Sequence, residues 1–223
     1  SVEAGYDLIH VDPTIDITLQ KGQHISIETV AARTLDLIEH TENFRKAGGF
    51  SRIAYEVGTE EVHGGLADII TFRRFLDLLK SGLAERGLKE VWPCFVVGKV
   101  GTDLHTTLFD PNTAKELTKV ARQYGSVIKG HYSDGVTNPE AYPLSGMGAA
   151  NVGPEFTITE YNGLMELEKL EKQFFIVNKI ARCSDIGLIL RNSVVQSGRW
   201  KKWLLPGEDS SNFENLLPER QEW

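Results

Sequence analysis

Five short apolar runs, each bounded by turn residues and most of them separated by a stretch of helical period, leave this chain few folds to choose from. The runs are residues 7–11, 52–57, 91–97, 126–130 and 149–152, all too short to be helices. Residues 27–46 place Val30, Leu35, Leu37 and Ile38 on one side, with Ser26 as N-cap. Residues 69–86 do the same with Ile70, Phe72, Phe75, Leu76 and Leu79, and residues 112–124 with Leu117, Val120 and Ala121. Strands joined by connections of this length form a parallel sheet with right-handed crossovers, which means a doubly wound sheet or a β/α barrel.

The placement of polar residues separates the two. Each apolar run ends in a polar or Gly-rich cluster: residues 10–14, 56–61, 98–103, 130–135 and 151–155. Polar clusters at five C-terminal strand ends match the active-site rim of a TIM (β/α)8 barrel. A doubly wound sheet concentrates its site at one switch point, usually with a Gly-rich phosphate loop, and neither GxGxxG nor GxxxxGK[ST] occurs. A closed barrel of eight strands takes about 250 residues, whereas only five strands precede residue 157. From residue 159 the pattern turns helical, in one stretch over 159–172 and another over about 176–196, followed by a short amphipathic segment at 198–205. The expected division is therefore a barrel portion over 1–158 and a helical extension over 159–223. With no initial Met and six residues before the first run, the 223 residues are expected to be part of a longer chain or to be completed by another segment.

Lys plus Arg number 24 against 31 for Asp plus Glu, a net charge of −7 with no concentrated basic stretch. That excludes a nucleic-acid footprint. No apolar run approaches the roughly 20 residues of a membrane span, and no charged-then-apolar leader opens the sequence. Cys94 and Cys183 are too few for a disulfide framework and lack metal-type spacing, so a reducing cytoplasm is expected and both thiols read as inert.

Among chemistry-bearing residues His131 stands out, directly after a buried strand and beside Gly130, Tyr132, Ser133 and Asp134. It suits a metal ligand or an acid/base, with a hydrogen-bonded rim imidazole as the plain alternative. Glu56, Glu60 and Glu61 flank Gly58 and Thr59. By alternation Glu56 points opposite to Tyr55, and an inward carboxylate needs a cation or a partner, a role that Arg52 or Lys99 could fill structurally. His10 and Asp12 share one side of the first strand by period two and suit a metal or a sugar hydroxyl, although Asp12 before Pro13 and Thr14 also reads as an Asx turn. Asn151 and Gly153 end the last strand, where barrel loops frequently accept phosphate. Trp200, Trp203, Lys201 and Lys202 read as a packing helix or a partner surface.

Taken together, residues 4–13, 26–33, 55–65, 131–134 and 151–157 resemble, in family order, the accessory (non-catalytic) subunits of class II D-tagatose-1,6-bisphosphate aldolases, also named tagatose-6-phosphate kinases. The resemblance implies a TIM barrel related to zinc-dependent ketose-bisphosphate aldolases, with this chain supplying strands four to eight plus C-terminal helices. It implies a divalent metal, expected to be Zn²⁺, with His131 and Glu60 as ligands. Asp12, Glu60 and Asp134 are the expected catalytic residues, and His10, Thr59, Ser133, Asn151 and Gly153 the expected substrate-binding ones. Lys99 stands where catalytic members carry another metal-binding His, and the Asp-His pair of their third strand has no counterpart here. The implied activity is retro-aldol cleavage of a ketose phosphate, performed by this subunit or supported in a catalytic aldolase partner within an oligomer. The alternatives are a non-catalytic scaffold and a metal-dependent sugar or sugar-phosphate 4-epimerase. A kinase is disfavoured by the missing phosphate loop.

Overall fold

The structure, a computed structural model, describes residues 1–14, 25–58, 68–102, 108–178, 182–204, 207–209 and 211–217. It divides into two compact units, Ser1–Val152 and Gly153–Trp223. The first unit runs β1 (Leu8–Val11), α1 (Ile27–Ala47), β2 (Ala54–Gly58), α2 (Ile69–Glu85), β3 (Phe95–Val97), α3 (Pro111–Gln123), β4 (Val127–Gly130), α4 (Ala141–Leu144) and β5 (Ala149–Ala150). The second contains α5 (Pro154–Asn178), α6 (Ile186–Ser197) and two short 3₁₀ turns, Arg199–Trp203 and Phe213–Asn215.

Local chemistry starts each long helix of the first unit. Ser26 accepts the Thr29 N–H at 3.2 Å. Asp68 accepts from Ile70 and Thr71, and Asp110 from Asn112 and Thr113, with Pro111 supplying a fixed φ in the first turn. The five strands are all parallel in the order β1-β2-β3-β4-β5. Among the described residues that order never reverses, so these five strands have no topological switch point of the doubly wound kind. This α/β architecture is compatible with a TIM-like fold.

The core lies on one face of the sheet. Val11, Tyr55, Val57, Val96 and Ile128 pack there with Val30 and Ile38 of α1, Phe72, Phe75, Leu76 and Leu79 of α2, and Leu117 and Ala121 of α3. Side chains alternate along a strand, so the intervening residues His10, Glu56, Val97 and Lys129 occupy the opposite face.

The structure shortens the third run to Phe95–Val97. Pro93 has no N–H to donate, and Val91 is drawn into a turn through its bond to the Leu88 carbonyl. Four-residue α4 is too short to leave a periodic signature. In the second unit the first helix opens at Pro154, a favoured residue for an initial turn, and ends at Asn178, with α6 starting only at Ile186. Trp200 packs edge-on against Phe213. Among the described residues no helix is long and apolar enough to cross a membrane.

Candidate functional site

Four polar side chains from β1, β2 and the end of β4 meet on the face opposite the helices, and Glu56 of β2 is their centre. His10 lies beside it in the ladder and its Nδ1 is 2.7 Å from Glu56 Oε1. His131, the first residue after β4, brings Nε2 to 2.9 Å from the same oxygen. The ammonium of Lys129, two residues earlier and so on the same face, donates to Glu56 Oε2 at 2.7 Å. Glu56 is fully buried, whereas about a third of the His10 side chain is exposed (32%). The two imidazoles face each other with ring centroids 5.1 Å apart.

Asp12 completes the cluster on the solvent side, with Oδ2 3.8 Å from His10 Nε2. It is held in place by the backbone and hydroxyl of Thr14, the Asx turn read from the sequence. Gly58 opposite leaves it room, since a Cβ there would sit 3.2 Å from the Asp12 carboxylate. Burial alone would lower the His10 imidazole, but hydrogen bonds to Asp12 and Glu56, reinforced by their charges, raise it to about 9. Burial would raise Glu56, yet His10, His131 and Lys129 outweigh it and hold the carboxyl well below the usual range. Asp12 is likewise held low: the bonds from His10 and Thr14 prevail over its burial. At neutral pH His10 is thus an imidazolium between two carboxylates.

The loop after β4 is fixed by its backbone. Thr102 Oγ1 donates to the His131 carbonyl at 2.8 Å, and Tyr132 takes a left-handed φ of 54°. The Asn151 N–H bonds the Gly130 carbonyl at 2.8 Å, and the Ser133 N–H bonds the Asn151 carbonyl at 3.2 Å. The Ser133 hydroxyl is buried without a hydrogen-bond partner among the described residues. Gly130 is required for packing within the fold: a Cβ would come within 2.7 Å of Tyr142 and 2.9 Å of Met147.

The structure therefore brings together three of the expected residues, His10, Asp12 and His131, around Glu56. Ser133 and Asn151 join the same strand end through main-chain bonds, with half-buried Asp134 following in the loop. Gly153 opens the second unit. Glu60 and Thr59, with Glu61, lie outside the described residues. The partners of Glu56 differ from the expected Arg52 or Lys99; Arg52 instead bonds the Glu90 carbonyl. Lys129 escaped sequence reasoning because it sits inside an apolar run, although its period-two relation to His131 was the available signal.

His10, Glu56 and His131 offer ligand atoms within 4.8 Å of one another and could hold a metal ion. Two imidazoles and a carboxylate are a zinc-type donor set in kind, with Lys129 on the remaining carboxylate oxygen. Residues 1–215 match the protein family described as D-tagatose-1,6-bisphosphate aldolase subunit GatZ/KbaZ-like. No curated protein matches the chain.

Proposed function

This chain belongs to the GatZ/KbaZ-like family of D-tagatose-1,6-bisphosphate aldolase subunits, and from that premise we propose that it binds a ketose phosphate at the Glu56 cluster and acts with a catalytic class II chain in retro-aldol cleavage. In this reading the sheet forms strands four to eight of a β/α barrel, and the cluster lies toward the rim where barrel enzymes place their chemistry. The observation that carries the proposal is the convergence of His10 and His131, 46 and 75 residues from Glu56 in sequence, on one buried carboxylate oxygen.

The reaction removes the C4 hydroxyl proton, breaks the C3–C4 bond and leaves its electron pair as an enediolate on the retained fragment. A divalent cation held by His10, Glu56 and His131 would supply Lewis-acid stabilisation of that charge. The residues of the chain provide the rest. His10, held by Asp12 and Glu56, is an imidazolium before a cation binds and gives up its proton on becoming a ligand. Asp12, partly exposed at the mouth of the cluster, is positioned to take a hydroxyl proton, a role for which Glu60 and Asp134 are the further candidates. Ser133, Asn151, Thr59 and Gly153 are assigned to hydroxyl and phosphate contacts.

One observation favours the scaffold reading as second: Glu56 already receives three donors, so the cluster is satisfied without a ligand. Cleavage of tagatose 1,6-bisphosphate by a class II aldolase chain, assayed with this protein and with its His10→Ala and His131→Ala variants, with and without Zn²⁺, separates the readings. The proposal expects rate enhancement from the wild type and its loss in folded variants. Undiminished enhancement by both variants establishes the scaffold, and a C4 epimer formed without triose products establishes the epimerase.

A further inference from the structure

One of the two Glu56 oxygens accepts a hydrogen bond from the Lys129 ammonium at 2.7 Å, which bears directly on any metal that the cluster binds. We propose that Lys129 is the built-in counter-cation of Glu56 and sets how weakly a divalent metal binds between Glu56, His10 and His131. The inference rests on the reading of these three as a cation-capable group, not on aldol chemistry.

The arrangement is specific to the fold. On this face β3, lying between β2 and β4, contributes only Phe95 and Val97 in register with Glu56 and Lys129. The four-carbon stem of Lys129 reaches from within β4 across that apolar strand, arriving 2.7 Å from Glu56 Oε2. The Lys129 side chain is 19% exposed and that of Glu56 1%, so little water screens the pair and the attraction is strong. A divalent ion ligated by the carboxylate would share it with this ammonium, and like charges repel across the same weakly screened space. Lys129 thereby holds the carboxylate in place in the absence of metal, and opposes metal when it is offered.

Titration of the full chain with Co²⁺ alone, followed by calorimetry and by the visible absorption of the bound ion, tests this. Lys129→Met is expected to bind Co²⁺ at least about tenfold more tightly than wild type, and Lys129→Arg, which keeps the charge, to remain within about threefold of it. A folded Lys129→Met protein that binds no more tightly than wild type overturns the proposal. Should that variant fail to fold, acetylation of Lys129 in the wild type, read by mass spectrometry, decides. Labelling that rises with saturating Co²⁺ supports displacement of the ammonium, and unchanged labelling overturns it. Tighter Co²⁺ binding in Lys129→Met alongside undiminished rate enhancement by the His10→Ala and His131→Ala variants leaves this inference standing while refuting the proposed function.

Discussion

Burying a carboxylate without partners is costly, and Glu56 avoids that cost through three donors from two other strands. Glu56→Gln keeps the shape but strands the Lys129 ammonium and the His10 imidazolium beside a neutral amide. It should destabilise the protein by about 3–5 kcal/mol in urea unfolding at pH 7; a loss under about 1 kcal/mol would mean that the cluster is fully hydrated. His131→Ala removes only one of the three donors and should cost about 1 kcal/mol, so activity and stability are separable at that position. Glu42, on the helix side of the sheet, is also buried: it accepts from Tyr55 Oη at 2.9 Å and from Arg45. Burial pushes Glu42 up, but the Arg45 and Tyr55 bonds prevail and hold it below its usual value. A folded-state pKa below the unfolded one gives stability that is present above the unfolded value and is lost as pH falls through the folded value. Glu42→Gln should therefore flatten the decline of urea midpoint below about pH 4.5, and an unchanged acid slope would show that Glu42 does not contribute.

At the scale of elements, close helix packing and helix propensity make opposite demands on two glycines. Gly82 lies in α2 against α1, where an added Cβ would fall 2.2 Å from Leu35 Cδ1. Gly82→Val should lower stability by about 1–3 kcal/mol through overpacking. Gly163, inside α5, has nothing within 4 Å of such a Cβ, so Gly163→Ala should leave the α5 region intact and stabilise its helix by about 0.5–1 kcal/mol. Thermal melts of the two variants should move in opposite directions, and a shared direction would contradict the packing of α1 on α2. The same contrast explains why α2 was legible in advance. Phe72, Phe75, Leu76 and Leu79 repeat at helical spacing and all are buried, whereas α4 has four residues and no period to detect.

For the whole molecule, the sheet order determines which backbone is protected. β2, β3 and β4 have a paired strand on each side, while among the described residues β1 and β5 each pair with one neighbour. Amide exchange in the isolated 223-residue chain should be slowest at Tyr55–Val57, Val96 and Ile128, and faster at Ala149 and Ala150. Protection of β5 equal to that of β3 would show that a further strand covers its edge, the closure that the proposed barrel requires.

What the sequence determined by itself was whatever depends on near neighbours: the order of the five strands and the long helices, the Ser26 cap, the Asx turn at Asp12, and the placing of His10 and Asp12 on one side at the end of β1. Period and capping act over a few residues and are written in the chain directly. The join of Glu56 to Lys129 was decided only by the tertiary structure, because it depends on the register of β2, β3 and β4, three segments 73 residues apart from first partner to last. The role of Gly130 was decided the same way, since only the fold brings Tyr142 and Met147 against it. Parallel strands take their register from crossovers and packed helices, not from a local turn, and for that reason the partners of a buried charge could be expected in kind but not by name.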